Sequence, residues 1–283
     1  MSPADPAPSV PPSSGSPSSG EADFTVDAFH YGKFWLVQPK AVGHRSGMDA
    51  MLVAATVPDG AKGRVADLGA GAGGAGLAVA ARLLDVTVTL VERSPVMVDY
   101  ARRTLALAEN AALAPRVGIL AVDVTLRGDA RRAAGLEDDA YDFVVMNPPF
   151  NEAVDRRTPD SLKAEARAMD GDGLFEDWIR TACALLRPGG QVSIIARPRS
   201  LAPILDALAG RFGAVEVMPV HSRAGDDALR ILVTAVKQSR GWLTLRPPLV
   251  IHSGPGHDFS PEMDAFNNGL AAIPRRNPVR LRR

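Results

Sequence analysis

The chain has 283 residues, 46% hydrophobic and 23% charged, an ordinary globular composition long enough to bury one large core. Basic and acidic residues number 32 each, so the formal charge is zero and net charge alone holds no nucleic acid. The lone Cys183 excludes an internal disulfide and a cysteine-built metal site, and no apolar run reaches membrane-spanning length, so a cytoplasmic protein without metal or membrane is expected.

The first 20 residues contain six Pro, seven Ser and two Gly, which bury too little apolar surface to offset the entropy of ordering. Residues 1–23 are therefore expected to be a disordered leader. A single domain over 24–270 is expected to begin with an arm, a small hairpin from Phe24 to about Leu36. "GMDAMLVAATVP" then reads as a short helix closed by Pro58. From Arg64 onward, short apolar runs alternate with helical patterns. The runs are "RVADLG", "VTVTLVE", "RVGILAVDV", "YDFVVMN" and "GGQVSIIAR", and the helices are Gly74 to Leu84, Pro95 to Asn110, Leu174 to Leu186 and Leu201 to Phe212.

Strands rich in Val, Ile and Leu alternating with helices indicate a parallel sheet covered on both faces. "GAVEVMPV" and "ALRILVTAVK" break the alternation, because the loop between them, "HSRAGDD", is too short for a crossover helix. These two are expected to pair antiparallel. The fold class is thus α/β, a mostly parallel seven-stranded sheet with an antiparallel last hairpin and helices on both faces. "WLTLRPPLVIH" reads as an added strand before an Arg-rich tail, residues 271–283.

"VADLGAGAGGAG" puts Asp67 at the end of the first run and glycines at 69, 71, 73, 74 and 76 ahead of the helix. Glycines after a strand let the backbone turn tightly and bring a ligand close to a helix N-terminus. Glu92 ends the second run, where a carboxylate accepts both hydroxyls of a ribose, and Asp123 ends the third, where it meets an adenine amino group. Each alone is an ordinary turn or a solvated strand end. Three acids at successive strand ends of one sheet edge point to a cofactor site. No Walker lysine follows the glycines, which disfavours a nucleoside triphosphate. The fourth run ends in Asn147-Pro148-Pro149-Phe150. Two prolines stop the ladder and stiffen the backbone, while Asn offers hydrogen bonds and Phe a flat apolar face beside them.

The string from Asp67 to Gly73 resembles motif I of S-adenosylmethionine (AdoMet)-dependent methyltransferases. Asn147 to Phe150 resembles the (D/N)PP(Y/F) motif of those that modify a nitrogen conjugated to a planar system. Together with "GHRSGMDAMLVAA", "ALLRPGG", "ALRILVTAVK" and "PLVIHSGPGHDFSPEM", from about Phe29 to about Phe266, the chain resembles the bacterial family that methylates N6 of an adenine in the anticodon loop of valine tRNA. The resemblance implies a Rossmann-like class I methyltransferase fold, AdoMet as cofactor and RNA, first of all tRNA, as substrate.

It further implies that Asp67, Gly69, Gly71, Gly73, Glu92, Asp123 and Asn147 line the cofactor site, with the block around Arg45 and Asp49 closing over it. For Asp49 the alternative is an acid in the first turn of a helix, favoured by the helix dipole. The implied catalytic group is Asn147, Pro148 and Phe150. Asn147 Oδ1 and the Pro148 carbonyl accept the two N–H bonds of the amine, and Phe150 stacks on the flipped base. Phe150 departs from the tyrosine usual in adenine-N6 enzymes, and NPPF also occurs in enzymes that methylate guanine N2 of ribosomal RNA. Guanine N2 is therefore the alternative, followed by a protein glutamine and a non-catalytic RNA-binding relative. A small-molecule oxygen gains no evident advantage from NPPF. In the RNA reading, Arg223 and Arg230 beside the late hairpin loop meet phosphates, unless they are solvated surface. Arg275, Arg276, Arg280, Arg282 and Arg283 form a basic arm for the same partner.

Overall fold

The computed structural model describes residues 24–40, 45–149 and 173–276; the expected leader, Phe150 and the chain beyond Arg276 lie outside the described residues. Strands β1 (Phe24–Phe29) and β2 (Phe34–Pro39) pair antiparallel in a sheet of their own. Helix α1 (Met48–Ala55) follows, buried from Ala50 to Ala55. The alternating region comprises β3 (Gly63–Leu68), α2 (Gly74–Arg82), β4 (Val86–Val91), α3 (Pro95–Leu105), β5 (Val117–Leu120), α4 (Gly128–Ala133) and β6 (Tyr141–Met146). It continues through α5 (Leu174–Leu185), β7 (Leu186–Ala196), α6 (Leu201–Leu208), β8 (Phe212–His221) and β9 (Ala228–Lys237). Two short strands, β10 (Thr244–Leu245) and β11 (Leu249–Val250), and α7 (Pro261–Asn267) complete it.

The large sheet runs β10-β8-β9-β7-β6-β3-β4-β5, with β11 also on β8. Strands β3 to β7 pair parallel, whereas β9 is antiparallel to both β7 and β8. β6 is buried along its whole length, the pattern of a central parallel strand with helices on both sides. Val65, Phe143 and Val145 face a core built with α1, α2 and α7, and Ala66, Val144 and Met146 face one built with α5 and α6. In α5, Trp178, Ile179, Ala182 and Leu185 recur at helical spacing on the buried side, with Glu176 and Asp177 in the first turn.

Several expected boundaries shift for local reasons. The helix from Pro95 stops at Leu105, and a 3-10 turn at Ala108–Asn110 lets Asn110 Oδ1 accept the Trp35 amide of β2 at 2.9 Å. "WLTLRPPLVIH" divides into β10 and β11 because Pro247 and Pro248 have no amide to give the ladder. "RVGILAVDV" is strand only to Leu120, so Asp123 sits in the following loop. The short helices α4 and α7 lack an extended apolar period; α7 starts at Ser260, whose Oγ accepts the Met263 amide, followed by Pro261 at the first helical position. The described part of the tail is anchored at Ile273, which is buried and whose amide donates to the Ala55 carbonyl at 2.8 Å, while Pro274 and Arg276 are exposed. Among the described residues no helix is long and apolar enough to cross a membrane.

Candidate functional site

In the ladder, Leu68 pairs with Met146 on one side and Val91 on the other. Gly69, Asn147 and Glu92, the next residue of each strand, therefore leave three neighbouring strands side by side. The Gly69 and Ala70 amides donate to the Val91 carbonyl at 2.8 and 3.1 Å, which folds the glycine turn over the end of β4. Glu92 completes the junction, with Oε2 accepting the Gly71 amide at 2.9 Å and Oε1 the Ser94 amide at 2.8 Å. Each carboxylate oxygen keeps acceptor capacity for a further donor.

Gly69, Gly71 and Gly73 all have left-handed φ, +70°, +57° and +97°. Their surroundings differ. A Cβ on Gly69 would stand 2.4 Å from the Trp178 ring, and one on Gly73 within 2.9 Å of Leu77 and Leu90. On Gly71 the nearest neighbour among the described residues would be the flexible end of Met97 at 3.5 Å, so these residues leave the backbone open to a close ligand there.

Asp67 is only 2% exposed, and its Oδ2 accepts the Gly76 amide at 2.8 Å, doing from beneath what an N-cap side chain does from outside. It braces the start of α2 directly beneath the glycine turn. Burial pushes its carboxyl up to about 7; the Gly76 amide opposes that rise and the Glu92 charge adds to it.

Asp123 is relocated. Its Oδ1 accepts both the amide and the hydroxyl of Thr125 at 2.8 Å, closing an Asx turn after the strand, and Arg93 stands 3.3 Å from Oδ2. Burial alone would raise its carboxyl, but the Thr125 donors and Arg93 outweigh it and hold the pKa below the ordinary value. It remains half-buried at the same edge. Asn147 and Pro149 are half-buried, whereas Pro148 is buried. Asn147 is thus not sealed into the interior. The expected stacking residue, Phe150, lies outside the described residues.

Arg45 and Asp49 flank the glycine turn but are bound to protein. Arg45 donates to Asp27 Oδ2, Thr25 Oγ1 and the Pro39 carbonyl, at 2.8, 3.0 and 2.9 Å, which fastens it to the N-terminal hairpin. Asp49, in the first turn of α1, is paired with Arg230 Nε at 2.8 Å. Arg230 is therefore not a solvated phosphate ligand. The Arg223 guanidinium reaches the carbonyls of Gly254, Pro255 and Gly256. Arg275 is also corrected as a member of a basic arm: its side chain is 4% exposed, bonded to Thr234 Oγ1 and the Ala214 carbonyl and 3.6 Å from Glu216. Arg275, Glu216 and Arg246 line a cavity of about 20 Å³ that is remote from the glycine turn.

Three contributors had no local signature. Trp178 touches Gly69 from α5, and in the sequence it is only one of two aromatics in an amphipathic helix. Gln38, buried in β2, donates to Asp27 at 2.8 Å and accepts the Ser46 amide at 2.6 Å. Ser46 in turn lies so close to Gly74 that a Cβ there would be 2.4 Å from its Oγ. The hairpin is thereby linked to the glycine turn. Among the described residues no group of three His, Cys, Asp or Glu is arranged to hold a metal.

A tRNA1(Val) (adenine(37)-N6)-methyltransferase of Aeromonas hydrophila is 29% identical over 242 residues, 82% of this chain and 90% of that protein. A ribosomal RNA small subunit methyltransferase C of Actinobacillus pleuropneumoniae is 29% identical over 61% of this chain and 43% of its own length. The chain spans just under half the length of this and other curated relatives it matches. A crystal structure from Agrobacterium tumefaciens, described as a predicted O-methyltransferase, is 49% identical with a TM-score of 0.71, covering 81% of this chain and 100% of that one. The family model of the methyltransferase small domain matches residues 40–223, more than half of the sequence, and the chain belongs to that family.

Proposed function

We propose that the protein transfers the methyl group of AdoMet to the exocyclic amino nitrogen of an RNA base, adenine N6 in a tRNA first of all. AdoMet supplies an electrophilic methyl on a sulfonium. The residues at the sheet edge suit it: the turn is open at Gly71, and Glu92 keeps acceptor capacity for a ribose diol. The observation that carries the reading is the side-by-side departure of Gly69, Glu92 and Asn147 from three adjacent strands. It sets an amide acceptor next to a cofactor turn.

An exocyclic amine delocalises its lone pair into the ring and is a poor nucleophile. Asn147 Oδ1 and the Pro148 carbonyl accept its two N–H bonds, favour the pyramidal nitrogen and stabilise the positive charge that develops on it. The prolines keep both acceptors from moving. Neither acceptor takes up a proton near neutral pH, so an alcohol would find no base in this pair, which disfavours oxygen as the nucleophile. The long match to an adenine-N6 tRNA enzyme supports adenine. The match to an rRNA enzyme keeps guanine N2 as the second reading, since its amino group presents the same two N–H bonds.

Incubation of bulk tRNA and rRNA with labelled AdoMet, followed by nucleoside analysis, tests this. N6-methyladenosine in tRNA is the expected product. N2-methylguanosine in rRNA would transfer the reading to the second base, and label only in protein or in small molecules would overturn RNA as substrate. Asn147→Ala should lower turnover about 10²- to 10³-fold with AdoMet affinity retained, whereas Gly71→Arg should abolish calorimetric AdoMet binding.

A further inference from the structure

An RNA that presents one base to Asn147 has the rest of the sheet edge, toward β8, beside it. β6 and β7 are parallel, β8 runs the same way as β7 through antiparallel β9, and β11 is parallel to β8. The loops after β8 and β11 therefore emerge at the edge that carries Asn147. They lie three and four strand positions along it, roughly 14 and 19 Å away at about 4.8 Å per strand.

The loop after β11 is tightly built. The Ser260 amide donates to the Ile251 carbonyl and its hydroxyl to that of Val250, both at 2.7 Å. His252 Nδ1 pairs with the Asp258 carbonyl at 3.0 Å, and Arg223 grips the carbonyls of residues 254–256 from the neighbouring loop. This frame holds three rings together: His252 stacks on Phe259 at 5.9 Å and 22°, and His257 meets His252 edge-on at 6.1 Å. His257 and Phe259 are nevertheless exposed, Phe259 by 37%.

Charge decides what such a surface suits. Arg223 is engaged with carbonyls and Arg230 with Asp49, while Asp226, Asp227 and Asp258 are exposed on the same two loops. Phosphates gain little here. Ring faces stack on any base without a compensating cation. Trp242 is more exposed, at 90%, but it follows Gly241, whose carbonyl accepts the Ala214 amide near the start of β8, at the opposite edge of the sheet.

We propose that His257 and Phe259 form a stacking platform for an unpaired base flanking the one that is methylated, so the substrate is single-stranded across this edge. The proposal rests on the RNA reading given above. Its test is fluorescence anisotropy of an RNA hairpin with an unpaired target loop, titrated over a range of salt with wild type, the double variant His257→Ala/Phe259→Ala, and Phe259→Trp. The double variant should bind RNA at least about fivefold more weakly, with the slope of log affinity against log salt unchanged. Phe259→Trp should bind as wild type, and AdoMet binding should be the same in all three. Equal RNA affinity in wild type and double variant would overturn the platform while leaving the RNA reading intact. So would a shallower salt slope, which marks a phosphate contact, or a parallel loss of AdoMet binding, which marks a structural role. Absence of RNA binding by the wild type would overturn both.

Discussion

Asp67→Asn keeps the acceptor that the Gly76 amide needs and deletes the charge buried beneath the glycine turn. Burial, opposed by Gly76 and assisted by Glu92, raises the Asp67 carboxyl from 3.8 to about 7, so between these values the folded protein binds a proton that the unfolded chain has lost. Stability then falls as pH rises through that window. Each factor of ten in proton affinity corresponds to about 1.4 kcal/mol, so the carboxylate costs the wild type at most about 4 kcal/mol by pH 8. In a chain of this size that is about 10 °C in melting temperature. Thermal melts of both proteins from pH 4.5 to 8.5 read the effect as a difference, in which titrating groups not coupled to Asp67 cancel. The variant should gain on the wild type as pH rises, with most of the gain above pH 5. Glu92→Gln should shrink that gain by removing the neighbouring charge. A gap between wild type and Asp67→Asn that stays constant across the range refutes the reasoning.

The three tight glycines should not be equally sensitive. Gly69→Ala combines left-handed strain with a collision against Trp178 and should destabilise by about 3 kcal/mol, whereas Gly71→Ala should show the strain alone, about 1–2 kcal/mol, in urea unfolding. Trp178→Leu should recover part of the first loss and none of the second. His30 is buried, its ring nitrogens have no hydrogen-bond partner among the described residues, and its pKa is lowered to about 4, by burial first and then by Lys33 and Arg82. Stability should fall as pH drops from 6.5 toward 4, by at most about 3 kcal/mol, since the unfolded chain gains the proton first. His30→Asn, which tolerates the observed φ of 49°, should flatten that acid limb in denaturant titrations.

The sheet was legible because its strands are near-continuous apolar runs and its one reversal sits where the connection is too short for a helix. Both follow from the chain's own geometry. The glycine turn and the Asn-Pro-Pro corner were legible for a similar reason: few residues adopt left-handed φ or end a ladder so abruptly. Asp123 was misplaced by three residues, although "DVT" carries the turn signature, an acid whose side chain caps the amide two residues on. The hydrophobic run had outvoted it.

Side-chain partners are a different matter, because a charge is visible in the sequence and its counter-charge is not. Arg230 finds Asp49 across 181 residues, Arg223 finds a turn 31 to 33 residues away, and Arg275 reaches back to Thr234 and Ala214. Each had the appearance of a free phosphate ligand, and each instead secures a loop or a chain end. Among the described residues at this edge, Arg230 is neutralised by Asp49, whereas Arg223 keeps its charge beside neutral carbonyls. In the proposed reading, the exposed rings of His257 and Phe259 favour a short unpaired segment over a duplex held by its backbone.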